Sequence, residues 1–179
     1  KVVELPEYVH NEKAVRGIWV SNVMNIDTPV MESVESYKEY LVKMVENIAS
    51  YNMNLIIFQV RPTNDAYYKS ALNPWSRFIT GTEDKDPGFD VLQFVIDEAK
   101  KYNIEVHAWM NPYRVSTAPL EKLEMTKEEY LNTLSEKNFA RQNPDCTVID
   151  GVNKVILKPA SDKVIKFVTD TIMEVVNNY

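Results

Sequence analysis

The chain has 179 residues, 45% of them hydrophobic and only four of them glycine, with 20 Lys and Arg against 26 Asp and Glu for a formal net charge of −6. This is enough chain for one domain with a real core, it excludes disorder over most of the length, and its acidic balance argues against nucleic-acid backbone as a partner. Cys146 is the only cysteine and His10 and His107 the only histidines, so an internal disulfide, a thiolate cluster and a histidine-rich zinc site are all disfavoured.

Residues 1–15 are mixed and polar, with Pro6, and read as a leader or linker. The chain begins at Lys1 rather than Met, which leaves an export signal upstream open, and no apolar run approaches a membrane helix in length. Gly17-Ile18-Trp19-Val20 is the first short strand, ending at Ser21-Asn22. A loop with Asp27 and Pro29 follows. Ser36 with Glu39 three residues on predicts a capped helix start, and Tyr37, Leu41, Met44, Val45 and Ile48 recur at helical spacing up to Tyr51-Asn52. Residues 55–60 form a continuous apolar run, as in a strand buried on both faces.

A long stretch, 61–87, then carries Tyr67, Tyr68, Trp75, Phe78 and Gly81. Stretches of this length without regular structure are uncommon in compact domains and are often functional. Asp90 caps a helix whose apolar face is Val91, Phe94, Val95 and Ala99, and residues 105–110 are the third strand. After an excursion over 111–118, Thr126 with Glu129 predicts a second capping box, on a helix running to about Asn138. Asp150-Gly151 predicts a tight hairpin turn over 148–153, with Val155-Ile156-Leu157 as its second strand. Ser161 or Asp162 caps a last helix with the stripe Val164, Phe167, Val168, Ile172, Val175 and Val176. The order β-α-β-α-β-α-hairpin-α is that of a parallel α/β protein.

In such proteins chemistry sits where strands end. Two strand ends here run into polar and aromatic loops: Gln59-Val60-Arg61-Pro62-Thr63-Asn64-Asp65 and His107-Ala108-Trp109-Met110-Asn111-Pro112-Tyr113-Arg114. Together with Arg16-Gly17-Ile18-Trp19-Val20, Asn25-Ile26-Asp27, Pro74-Trp75-Ser76, Gly81-Thr82 and Asp86-Pro87-Gly88, these blocks resemble the glycosyl hydrolase-like family 10, a group of bacterial, mostly exported or lipoprotein (β/α)8 enzymes. The similarity runs from about Arg16 to the end, and the joint spacing of the blocks makes it specific.

The resemblance implies that residues 16–179 are the N-terminal half of a (β/α)8 TIM barrel, a fold that typically takes about 250 residues when complete. It implies a glycoside hydrolase of the cell envelope, extracytoplasmic, acting on peptidoglycan or a related glycan without metal or organic cofactor. The family's next strand carries the acids expected to perform the chemistry, so this chain is expected to lack the main catalytic carboxylates. Lys158 precedes Pro159 where the family commonly has Asp or Asn. A half-barrel also leaves an open sheet edge, through which copies of the chain would associate.

Glycoside hydrolysis needs two carboxyl groups across the scissile bond. Asp27 and Asp65 follow the first and second strands and are weak catalytic candidates; the alternative for each is a turn or helix cap, and for Asp65 a contact to substrate hydroxyls. Gln59, Arg61, Asp65, His107, Asn111, Tyr113 and Arg114 are the substrate-binding candidates. Guanidinium groups suit carboxylates and sugar oxygens, or else pin loops by pairing with their acids. Period-two alternation places Gln59 with Arg61, and His107 with Trp109 and Glu105, on shared faces. His107 is then either a cleft residue or a satisfied core histidine, and Trp75, Tyr67 and Tyr68 either stack on sugar or pin their loop. A non-catalytic glycan-binding module and a self-associating half-barrel are the competing readings.

Overall fold

The computed structural model describes residues 14–179. His10 and nearly all of the expected leader lie outside the described residues. Strand β1 (Gly17–Val20) leads through a 3-10 turn at Val23–Asn25 to helix α1 (Val34–Ser50), then to β2 (Leu55–Arg61), α2 (Arg77–Thr80), α3 (Val91–Lys100) and β3 (Glu105–Met110). The three strands are parallel in the order β1-β2-β3. Register pairs Trp19 with Ile57 and Ile57 with His107, so Trp19, Ile57 and His107 share one face. The other face, built on Val20, Ile56, Phe58 and Val60, packs beneath α1 and α3 into the main core.

α1 buries Tyr37, Leu41, Val45 and Ile48, a stripe at helical spacing, and closes near Tyr51 as expected. Its start differs. Ser33, not Ser36, is the N-cap: Ser36 N–H donates to Ser33 Oγ at 3.1 Å and Ser33 N–H to Ser36 Oγ at 3.2 Å. Glu39, expected to close the box, is instead engaged by Lys43 one turn on, at 2.8 Å. Asp90 caps α3 by accepting from Gln93 N–H at 3.0 Å.

Between β3 and the final helix the chain builds a second layer with its own core. Helices α4 (Leu120–Leu123), α5 (Lys127–Thr133) and α6 (Phe139–Gln142), a 3-10 turn at Pro144–Cys146 and the antiparallel pair β4 (Thr147–Ile149) and β5 (Val155–Leu157) enclose Leu120, Tyr130, Leu131, Leu134, Val155 and Leu157. The Thr126–Glu129 capping box forms. The single helix expected over 126–138 does not. Leu134 is extended, its carbonyl accepts from Arg141 Nη1, and Ser135 N–H donates to Glu83 instead of continuing the helix.

The hairpin turn is also wider than expected. Ile149 pairs with Val155, and Asp150 accepts from the N–H groups of Val152 and Lys154 at 3.0 and 2.8 Å, while Asn153 rather than Gly151 takes the left-handed backbone.

The last helix, α7 (Asp162–Asn178), buries Val164, Phe167, Thr171 and Val175. Ile172 and Val176, expected in the stripe, are exposed. Polar contacts hold the helix in this rotation. Asn73 Nδ2 donates to Thr171 Oγ1 at 3.3 Å, and Glu174 accepts from the Ser70 hydroxyl and Ala71 N–H at 2.5 and 2.6 Å. No helix of the described residues is long and apolar enough to cross a membrane.

Candidate functional site

The polar residues after the three parallel strands form one connected network, and Gln59 is its joint. Its side chain is fully buried. Oε1 accepts from the main-chain N–H groups of Asn22 and Val23 at 2.9 and 2.8 Å, with the Ser21 hydroxyl at 3.4 Å. Nε2 donates to Asn111 Oδ1 at 2.6 Å. Asn22 Nδ2 donates to the Gln59 carbonyl at 2.7 Å, and Asn22 Oδ1 accepts the Thr28 hydroxyl at 2.9 Å. A polar side chain inside a buried strand must find partners, and here the ends of both neighbouring strands supply them.

Arg61 does not share a face with Gln59. The β2–β3 ladder pairs Gln59 with Trp109 but Arg61 with Met110, so Val60 is an extra residue in β2 and strict alternation breaks there. Such a bulge re-aims the side chains beyond it. Arg61 turns towards α7, is only 1% exposed, and sets its guanidinium carbon 5.5 Å from the centre of the Phe167 ring.

The Arg61 guanidinium donates to neutral oxygens: the carbonyls of Asn111 and Pro112 at 2.7 and 3.2 Å, Asn73 Oδ1 at 3.4 Å, and Asn64 Oδ1. None of the ion pairs among the described residues includes it. Burial pushes its pKa down to about 10, against a smaller upward pull from Tyr68 and Asp65, which leaves it charged at neutral pH. Asn64 Nδ2, on the opposite side of the same carboxamide, is buried with no partner among the described residues.

The two candidate acids are both held by main-chain groups. Asp65 is fully buried; Oδ1 accepts from Thr63 N–H at 3.0 Å and Oδ2 from the Ser76 hydroxyl at 2.7 Å. It locks the start of the 61–87 stretch, which is far from structureless: Ala66 bridges to Trp75, and Tyr67 and Tyr68 are fully buried in the main core. Asp27 is exposed, and its Oδ2 accepts from Ser21 N–H at 2.7 Å, bracing the turn after β1.

The remaining candidates form the rim. Asn111 is half-buried; its Oδ1 is taken by Gln59, and its Nδ2 makes no hydrogen bond among the described residues and is not sealed from solvent. Tyr113 is exposed. Arg114 is half-buried, donates to the Pro62 carbonyl at 3.4 Å, and has its pKa lowered by burial. The backbone here is pinned to the hairpin, since Leu157 N–H donates to the Tyr113 carbonyl at 2.8 Å.

His107 is 60% exposed, 3.8 Å from Glu105, on the open face two residues below the level of Gln59. Between it and the network stands Trp109, packed edge-to-face on Trp19 with ring centres 5.0 Å apart. The structure thus brings Gln59, Arg61 and Asn111 together, sets Tyr113 and Arg114 beside them along the chain, and keeps His107 apart on the sheet face. No group of three His, Cys, Asp or Glu side chains among the described residues is arranged to hold a metal ion.

Several supporting residues carry no sequence signal beyond being polar: Asn22, Asn64, Asn73, Ser76 and Asn138. Glu83 is another. Its carboxyl accepts from Ser135 N–H and from Asn138 Nδ2 at 2.8 Å, tying the 61–87 stretch to the second layer, and burial raises its pKa above the ordinary carboxylate value.

A parallel sheet with its polar network gathered at the strand ends defines an α/β scaffold of the class that carries its chemistry where strands end. The family described as Glycosyl hydrolase-like 10 matches residues 14–179, and the chain belongs to that family. Among its relatives is the glycosyl hydrolase YngK of Bacillus subtilis (strain 168), 37% identical over 171 residues that take in 94% of this chain and 32% of the relative. The glycosyl hydrolase DigH of Escherichia coli (strain K12) is 32% identical over 182 residues, covering 94% of this chain and 40% of that protein. The chain therefore spans less than half the length of these relatives.

Proposed function

We propose that residues 16–179 are the N-terminal part of a (β/α)8 glycoside hydrolase-like domain, and that they build one wall of its glycan cleft. The parent protein hydrolyses glycosidic bonds in peptidoglycan or a related glycan of the cell envelope, outside the cytoplasm, by acid/base chemistry between two carboxyl groups. This part positions the sugar; the acids come from elsewhere in the parent. Asn111, Tyr113 and Arg114 contact substrate, Gln59 and Arg61 hold them, and the Trp19–Trp109 face lies inside the barrel.

One observation carries this reading. The network at the strand ends joins all three strands through Gln59 and leaves the unpaired Asn111 amide at its rim, while both candidate acids are committed to main-chain and hydroxyl donors. The same commitment of Asp27 and Asp65 also favours a second reading, a glycan-binding module without turnover.

Titration of the chain with peptide-free peptidoglycan strands, followed by tryptophan fluorescence, tests the first part of the proposal. The expected result is a saturable change that Asn111→Ala abolishes. Absence of any glycan binding, by this chain and by the full-length parent, overturns it. Sedimentation distinguishes a cleft wall from a half-barrel that pairs through its open edge: a concentration-independent monomer removes the self-association reading.

A further inference from the structure

We infer that Gln59 is a positioning residue that fixes the polarity of Asn111, turning the Asn111 N–H₂ outward so that the ligand atom met there is a hydrogen-bond acceptor. This rests on the glycan reading only for the identity of the ligand. The orientation follows from a chain of forced assignments. Main-chain N–H groups can only donate. The Gln59 atom lying 2.9 and 2.8 Å from the N–H groups of Asn22 and Val23 is therefore its oxygen. The other terminal atom of Gln59 is then its nitrogen, a donor only, and its partner on Asn111 at 2.6 Å must be Oδ1. That leaves Asn111 Nδ2 pointing away, without a partner among the described residues and not sealed from solvent.

Two backbone amides of the turn after β1 thus dictate, through one side chain, which end of a carboxamide on the far side of β2 faces outward. Freed from Gln59, Asn111 could present either end. The neighbouring rim group Arg114 is likewise a donor with no acceptor function and no ion pair among the described residues. A rim offering donors fits the acetamido carbonyl oxygen of an N-acetylated sugar, and rejects the ammonium of its deacetylated counterpart.

The variant Q59E reverses the polarity. The introduced carboxylate still accepts from Asn22 and Val23, but its second oxygen, ionised, cannot donate to Asn111. The Asn111 carboxamide must turn over, donate Nδ2 to that oxygen and show Oδ1 outward. Protonating the introduced carboxylate restores a donor and with it the original orientation. The titratable and charged groups around this position are Asp27 on the turn after β1, Tyr67, whose hydroxyl faces the Asn22 carbonyl at 3.4 Å, Arg61, which holds the Asn111 carbonyl at 2.7 Å, and His107 and Glu105 lower on β3. The wild-type chain, measured over the same pH range, carries all of them as its control.

The test has a ligand-free arm and a binding arm. In nuclear magnetic resonance of the wild-type chain, the Gln59 side-chain N–H₂ exchanges slowly with solvent and that of Asn111 rapidly. In Q59E at neutral pH the Asn111 N–H₂ becomes the protected one. In the second arm, an N-acetylated chitooligosaccharide binds Q59E and N111D each about tenfold more weakly than wild type. Q59E recovers on acidification, as does N111D once its outward-facing oxygen carries a proton, and the deacetylated oligosaccharide binds poorly throughout.

A protected Asn111 N–H₂ in the wild type overturns the inference, and that measurement needs no variant to fold. A folded Q59E that binds the N-acetylated probe like wild type overturns it as well. If the wild type shows the expected exchange pattern but binds no glycan, the positioning role of Gln59 stands and the glycan reading fails.

Discussion

Arg61 Nη1 donates to the main-chain carbonyl of Asn111 at 2.7 Å, joining the end of β2 to the end of β3. The same guanidinium reaches the Pro112 carbonyl and two asparagine side chains of the loop after β2, and no carboxylate joins it in an ion pair among the described residues. A planar group with five donors organises several carbonyls at once, which a point charge on a flexible stem does not. Arg61→Ala is expected to cost about 3 kcal/mol or more, from the lost packing on Phe167 and the orphaned carbonyls together. Arg61→Met keeps the stem and should cost less, yet both should weaken glycan binding because both release Asn111. Chemical denaturation alongside titration checks this. Unchanged stability in Arg61→Ala would mean that the guanidinium organises nothing.

Asp65 answers a different question. With one oxygen on Thr63 N–H and the other on the Ser76 hydroxyl, its removal strands two buried donors. Asp65→Ala should lose about 2–4 kcal/mol of stability, read by chemical denaturation. Asp65→Asn keeps one of the two bonds and should lose less. A catalytic acid would behave in the opposite way, with stability kept and turnover lost in the asparagine variant.

Glu83 gives the fold a pH dependence of defined sign. Burial raises its pKa in the folded chain, so between the ordinary carboxylate value and the raised one the folded state binds more protons than the unfolded state. Its contribution to stability is therefore greatest in acid and declines as pH rises through that window. Glu83→Gln removes the titration. The difference in Tm between variant and wild type should move in favour of the variant on going from about pH 4 to about pH 7. Any fixed cost of setting the glutamine amide against Ser135 N–H or Asn138 Nδ2 cancels in that comparison. A difference independent of pH would show that Glu83 does not titrate in this way.

The start of α1 offers a test of how local signals compete. Ser33 and Ser36 exchange hydrogen bonds reciprocally, so Ser33→Ala should cost about 1 kcal/mol. Glu39 takes no part in the cap and pairs with Lys43 on the surface. Glu39→Gln should leave thermal stability unchanged. The reverse pattern would restore a cap at Ser36.

What the sequence discloses and what it hides divides by range. Strands β2 and β3, the Asp90 cap and the Thr126–Glu129 box are written in contiguous residues, and each forms where the pattern places it. The bulge at Val60 is not, because it depends on pairing with a strand many residues away, and it undoes the expectation that Gln59 and Arg61 point together. The rotation of α7 is likewise tied to a distant loop, through Asn73, Ser70 and Ala71, and Ile172 and Val176 are exposed despite their periodic spacing.

The site follows the same rule. The polar residue types at the two strand ends are legible, but the partners each side chain takes within the protein are not. Gln59, Arg61 and Asp65 are hydrogen-bonded to Asn22, Asn64, Asn73 and Ser76, partners that no contiguous pattern announces.

In the proposed division of labour this chain positions glycan while other parts of the parent protein supply the acids. The sharpest test incubates purified, peptide-free peptidoglycan strands with this chain and, side by side, with the full-length parent, and measures new reducing ends. Release by the parent alone is expected, with the short chain binding strands but cutting none. Cleavage by the short chain would overturn that division and return the chemistry to Asp27 or Asp65.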